Sequence, residues 1–258
     1  MESNATNPLA GHDVAGKRVL VTGSSRGVGA DTARYFAEAG ASVVINYRNK
    51  AARAEKLVAE FAEYDGDSFA VGADLTDTDS VAAMLAEVKA RLGGLDILVL
   101  NASGGMEQNM GADYALRLNR DAQVGMLNAA RELMGAGGRV VFVTSHQAHF
   151  IRTTPTMDAY VPVAESKRAG EDALREMIPS LTEQGIEFVV VSGDMIEGTI
   201  TATLLNRLEP GAIEARRETA GRLYNVAEFA AEVALAAVEP VPADHTRLVG
   251  NVSSFNAE

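Results

Sequence analysis

Cysteine is absent from the 258 residues. That excludes disulfides, thiolate nucleophiles and zinc sites built on sulfur, and it is compatible with a reducing compartment. Basic residues are scarce. The 23 Lys and Arg stand against 35 Asp and Glu, and the resulting net charge of −12 repels phosphate backbones and anionic membrane surfaces. No nucleic-acid or membrane partner is expected, and chemistry on small molecules fits better. Long hydrophobic runs are missing too. The longest, such as Phe188 to Val191 and Ile97 to Leu100, are of strand length, and residues 1–12 hold no hydrophobic signal core. These features predict a soluble, cytoplasmic protein with a polar, disordered leader over residues 1–12. Residues 13–258 are expected to form one domain, since α/β folds of this size often do.

What is present is an alternation of short β-rich runs with helical patterns. Strands are predicted at Arg18 to Thr22, Ser42 to Tyr47, Ser68 to Val71, Ile97 to Asn101, Arg139 to Ser145, Glu187 to Ser192 and Thr246 to Val249. Seven strands with intervening helices imply a parallel sheet. Between two of them, Val81, Met84, Leu85, Val88 and Leu92 fall on one helical stripe, with N-cap candidates at Thr76 to Asp79 and a stop at Gly93-Gly94. Gly135 to Gly138 reads as a short helix-to-strand turn, and no repeat or linker marks a second domain.

Lys17 to Gly29 is the most informative stretch: a buried strand runs through the turn Thr22-Gly23-Ser24-Ser25-Arg26-Gly27-Val28-Gly29 into a helix. Gly23, Gly27 and Gly29 would free the backbone to approach a pyrophosphate, with the positive end of the helix aimed at its charge. In this strand-to-helix context the TGxxxGxG spacing resembles that of the short-chain dehydrogenase/reductase family. The resemblance extends over roughly residues 15–250 and implies a Rossmann-type, doubly wound, mostly seven-stranded parallel sheet with helices on both faces.

The same resemblance assigns cofactor contacts to Ser25, Arg26 and Val28 of the loop. It assigns them also to Asp74-Leu75 at the adenine ring, with a mere cap of the next turn as the alternative for Asp74, and to Asn101-Ala102-Ser103 at the adenosine ribose, in a variant of the family's NNAG motif. Members that use NAD place an acidic residue at the end of the second strand, whereas this chain has Asn46-Tyr47-Arg48. Arg48 and Arg26 would pair a 2′-phosphate, which favours NADP(H). Gly193, in Ser192-Gly193-Asp194-Met195 where the family usually has Pro-Gly, and Thr199 would lie near the nicotinamide, and residues 195–217 would form a mobile lid.

For the chemistry, the family implies Ser145 to polarise the substrate oxygen, Asn119 to hold a relay water, and Lys167 to bind the nicotinamide ribose and lower a tyrosine pKa. The tyrosine expected one helical turn before Lys167 is replaced by Val163, which has no proton to give. Tyr160 is the nearest phenol, two turns before Lys167 but in the loop ahead of Pro162. His146 would titrate near neutrality or simply pack in its loop. A metal clamp by His146 and His149 lacks a carboxylate motif, so no metal is expected.

The expected function is an atypical NADPH-dependent reductase of a ketone or aldehyde on a hydrophobic small molecule, working as a homodimer or homotetramer. A non-catalytic dinucleotide-binding protein, serving as redox sensor or scaffold, is the alternative. An epimerase or dehydratase shares the fold, but the chain lacks room for an added substrate domain.

Overall fold

The computed structural model describes residues 7–106 and 113–255. Its strands are β1 (Arg18–Val21), β2 (Ser42–Tyr47), β3 (Phe69–Gly72), β4 (Leu95–Leu100), β5 (Met134–Ser145), β6 (Glu187–Gly193) and β7 (Thr246–Val249). They form one parallel sheet in the order β3-β2-β1-β4-β5-β6-β7. The order reverses between β1 and β4, and in such sheets the crevice beyond the carboxyl ends at that reversal is where ligands bind.

Helices cover both faces because the strand residues alternate. Val21, Ile45, Val99 and Val141 pack on one side with helices α1 (Gly27–Glu38), α2 (Ala51–Phe61) and α11 (Val226–Ala236). Leu20, Val44, Leu98, Val140 and Phe142 face α3 (Thr78–Leu92) and α5 (Ala122–Ala130). The predicted stripe of α3 is buried through Val81, Met84, Leu85 and Val88. Asp77 accepts from the backbone of Asp79 and Ser80, and Gly93 at φ 75° closes the helix.

Helix α4 (Tyr114–Leu116) passes through a π-helical turn (Arg117–Asp121) into α5, and the turn packs on α7 (Val161–Glu176). The approach is close. A Cβ on Gly170 would lie 2.0 Å from the carbonyl oxygen of Asn119. Gly170→Ala is therefore expected to destabilise the protein by about 1–3 kcal/mol, read as a lower urea midpoint at unchanged slope. The remaining helices are α6 (His146–His149), α8 (Ile178–Glu183), α9 (Ile200–Leu208) and α10 (Ala212–Ala220). Among the described residues no helix is long and apolar enough to cross a membrane.

Two expectations are corrected. Of the leader, residues 7–12 are folded: Asn7 holds the backbone N–H of Leu9 at 2.8 Å and the Tyr35 carbonyl at 2.9 Å, and Leu9 sits in the core at 1% exposure. Residues 1–6 lie outside the described residues. Gly135 to Gly138 is no helix-to-strand turn but the irregular first part of β5, where Gly137 (φ 85°) donates to the Gly185 carbonyl and the β4 register shifts between Leu95 and Ile97.

Candidate active site

At the β1–β4 reversal the sequence builds a braced cradle. Thr22 at the end of β1 accepts from the backbone N–H of Asn101 and of Ala102 through its hydroxyl, tying the exits of β1 and β4 together. Asn101 in turn donates to the carbonyl oxygens of Thr22 and Gly23. Gly23 (φ 62°) and Gly29 are dictated by space, since a Cβ would meet Ala102 at 3.0 Å or Asn101 Nδ2 at 2.5 Å. Gly27 (φ 58°) has nothing within 4 Å of the corresponding position, so the loop is open there and its glycine is required by backbone angle alone.

Around this cradle the expected cofactor residues divide. Arg26, Val28, Asn101, Ser103 and Thr199 line the main cavity, of about 610 Å³. Ser25 is half-buried in the loop and Ala102 packs under it. Arg48 is exposed and donates to the Tyr114 hydroxyl. Tyr47 lies with its ring against Gly72. Four of the expected contact residues also have partners or packing roles within the protein. Asn46, 2% exposed, is turned inward: it accepts from the Gly23 N–H at 3.0 Å and donates to the Ala73 carbonyl, bracing the glycine loop. Leu75 is buried in the core. One oxygen of Asp74 closes its own turn with Thr76, as a cap does. Gly193 makes room for Phe229, whose ring would stand 2.4 Å from a Cβ.

Three of the four residues expected to carry the chemistry converge at the carboxyl end of β5. Ser145 ends that strand, and its hydroxyl lies 3.2 Å from the hydroxyl of Tyr160, the residue just before α7. The turns of residues 150–157 fold back so that Tyr160, 5% exposed, reaches the same wall as Ser145, Val163 and Lys167. Burial raises the Tyr160 pKa, and the hydrogen bond to Ser145 only partly opposes this. The phenol is thus held protonated. Lys167 is half-buried and has no hydrogen-bond partner among the described residues. Desolvation pulls it down to about 8, against the charge of Glu171. Burial alone would raise the Glu171 carboxyl, but the His149 hydrogen bond and the charges of His149, Arg168 and Arg175 bring it below its usual range.

Asn119 stands off the cavity wall. Its amide bridges the Gly104 backbone and the Ser166 hydroxyl, tying the β4 exit to α7. His146 is fully buried. Its Nε2 meets the Val249 carbonyl at 3.1 Å, which requires the proton on that nitrogen, and Nδ1 accepts from Ser192 at 2.8 Å. Burial holds it neutral, with its pKa lowered to about 4. His149 donates to Glu171. Among the described residues no group of three or more His, Cys, Asp or Glu is arranged to hold a metal.

The sequence reading missed the far wall. Arg216 of α10, Gln147 and Phe255 line the cavity together with Asp194. The one available signal was Asp194 itself, a carboxylate where the family usually has Pro-Gly.

Comparison with known proteins accords with this fold. The 1-cyclohexenylcarbonyl-CoA reductase of Streptomyces collinus is 36% identical over 186 residues, a stretch covering 69% of this chain and 64% of that one, just under two thirds of its length. A short chain dehydrogenase from Burkholderia cenocepacia, solved in complex with NADP, superposes with a TM-score of 0.79 at 27% identity over 95% of this chain and 99% of its own. The promiscuous reductase LugOII, which catalyses keto-reduction at C1 during lugdunomycin biosynthesis, superposes with a TM-score of 0.73 at 27% identity over 87% of this chain and 92% of its own. Residues 17–208 match the family model for short chain dehydrogenase, and the chain belongs to that family.

Proposed function

We propose that this protein reduces a ketone or aldehyde on a hydrophobic small molecule with NADPH, and that Tyr160 supplies the proton. The observation that carries the reading is the 3.2 Å Ser145–Tyr160 pair in the wall of the cavity that the glycine loop also borders. A reduced nicotinamide, held through Arg26, Ser103, Thr199 and Lys167, would supply the hydride. The carbonyl oxygen would accept hydrogen bonds from Ser145 and Tyr160, and charge developing on it would be stabilised by both hydroxyls. As the new C–H bond forms, the phenolic proton moves to that oxygen, and the tyrosinate left behind is stabilised by the Lys167 ammonium and reprotonated from solvent. The alcohol is the product. The raised Tyr160 pKa suits a donor, and Lys167 carries its charge below about pH 8.

NADPH is preferred on charge. No carboxylate stands at the end of β2, where Arg48 is exposed, and Arg26 lines the cavity with no partner among the described residues. Arg26→Ala combined with Arg48→Ala is expected to weaken NADPH by ~10-fold or more while changing NADH little, both measured by fluorescence titration. Equal weakening of the two would discard the 2′-phosphate assignment.

The rival reading, a dinucleotide-binding protein without turnover, is favoured by one observation only, Val163 in the place of the usual phenol. Following NADPH consumption over a broad panel of ketones and aldehydes separates the two. Tight NADPH binding with no consumption across the panel supports the rival.

A further inference from the structure

The cavity has a second polar wall beside the reacting centre. Gly193 pairs with Ser145 across β5 and β6, so Asp194, the next residue, carries its carboxylate to the same end of the sheet. That carboxylate is 7% exposed and firmly held: Arg216 Nε lies 2.8 Å from both oxygens, and Oδ1 also accepts from Gln147 Nε2 at 2.9 Å and from the Met195 N–H at 2.7 Å. Arg216 Nη2 lies 2.7 Å from Oδ2, outside the angles of a hydrogen bond. The guanidinium carbon rests 4.5 Å from the centre of the Phe255 ring, which is itself stacked on Phe150 at 5.5 Å.

Arg216 is therefore fixed in plane and direction by a carboxylate at one edge and an aromatic ring against its face. Its Nη1 has no partner among the described residues, and the side chain lines the cavity. Asp194 neutralises the charge and is itself held by Arg216, Gln147 and the Met195 N–H. What remains is a rigid pair of N–H donors carrying little net charge, which matches an uncharged acceptor oxygen better than an anion. The surrounding wall is mixed, with the adaptable apolar side chains Met106, Met157, Met195 and Leu205 among threonines such as Thr156 and Thr219.

We propose that Arg216 forms a second substrate subsite, donating to an uncharged oxygen (ketone, ether or ester) of the molecule whose reacting carbonyl meets Ser145 and Tyr160. This rests on the reductase reading above. The substrate class is then an apolar carbonyl compound bearing a second acceptor oxygen, and the pair of contacts fixes which carbonyl is presented.

The probes are α-tetralone and its ring-methoxylated isomers, which carry an ether oxygen at graded positions. Calorimetric binding to the protein loaded with NADP+, where no reduction occurs, is expected to show at least one isomer bound ~10- to 100-fold more tightly than α-tetralone. That ratio should fall to about one in Arg216→Met. Because this change strands the Asp194 carboxylate, the double variant Asp194→Asn, Arg216→Met is measured beside it, with melting curves to establish folding. A ratio near one in the wild type, no binding by any tetralone, or a ratio surviving in the folded double variant would overturn the subsite. Turnover of the same panel with NADPH reports separately on the reductase reading. A binding preference lost with Arg216 but without turnover keeps the subsite and retires the reduction, whereas turnover without any preference does the reverse.

Discussion

Tyr160→Phe is expected to lower turnover by ~10²–10⁴-fold while leaving NADPH affinity nearly intact. The change removes one oxygen that lies 3.2 Å from Ser145 and keeps the ring that fills the wall, so stability should move little. General acid catalysis of this size corresponds to about 3–5 kcal/mol of barrier. Ser145→Ala should cost ~10²–10³-fold, because it removes a donor to the carbonyl oxygen whatever the source of the proton. Steady-state kinetics on any ketone that the wild type reduces would read both. Tyr160→Phe at wild-type rate, with Ser145→Ala impaired, would leave Ser145 in place and move the proton source to water or the substrate. Wild-type rates in both would remove the site.

Lys167→Met should abolish most activity and at the same time stabilise the protein. The lysine sits at about 8 when folded, against 10.5 in a free chain, because burial disfavours its charge. Folding therefore works against a proton that the unfolded chain binds readily. The cost is present in full below about pH 8 and disappears as pH rises toward 10.5. The shift corresponds to at most about 3 kcal/mol, less whatever solvent in the cavity screens. Denaturation of the two proteins across this pH range should show the variant ahead at pH 7 and the gap closing by pH 10.5. A variant that melts below the wild type at pH 7 would contradict the account. The loss in turnover should exceed ~10²-fold, since the ammonium no longer stabilises the tyrosinate. Such a trade of stability for function is common where a charge must be held in a dry place.

Much of the fold was legible because local rules and tertiary packing agreed. The glycine loop, the seven strands and the α3 stripe each satisfy a period or a turn requirement visible within a dozen residues. Failures came where a distant partner decided. Asn46 reads as a ribose contact from its place at the end of β2, and its bonds to the Gly23 N–H and the Ala73 carbonyl left no local signal. Leu9 looks like part of a polar tail, yet the core takes it. At the active site, Ser145 and Lys167 were recognisable from their motifs, whereas the Ser145–Tyr160 contact depends on the path of residues 150–157. The Asp194–Arg216 pair joins a strand end to a helix 22 residues later, a relation that carries no periodicity.

The two groups proposed to handle the proton are held by different kinds of structure. Lys167 rides within α7, whose phase is locked by the Gly170 contact, whereas Tyr160 precedes the helix and owes its reach to the loop before it. Loops accept insertions and deletions that helix interiors refuse. The proposed acid and the proposed cofactor anchor are thus separately adjustable parts. A lineage, or an engineer, can re-aim the phenol at a differently shaped substrate by altering the length of residues 150–157 while leaving the lysine where it stands.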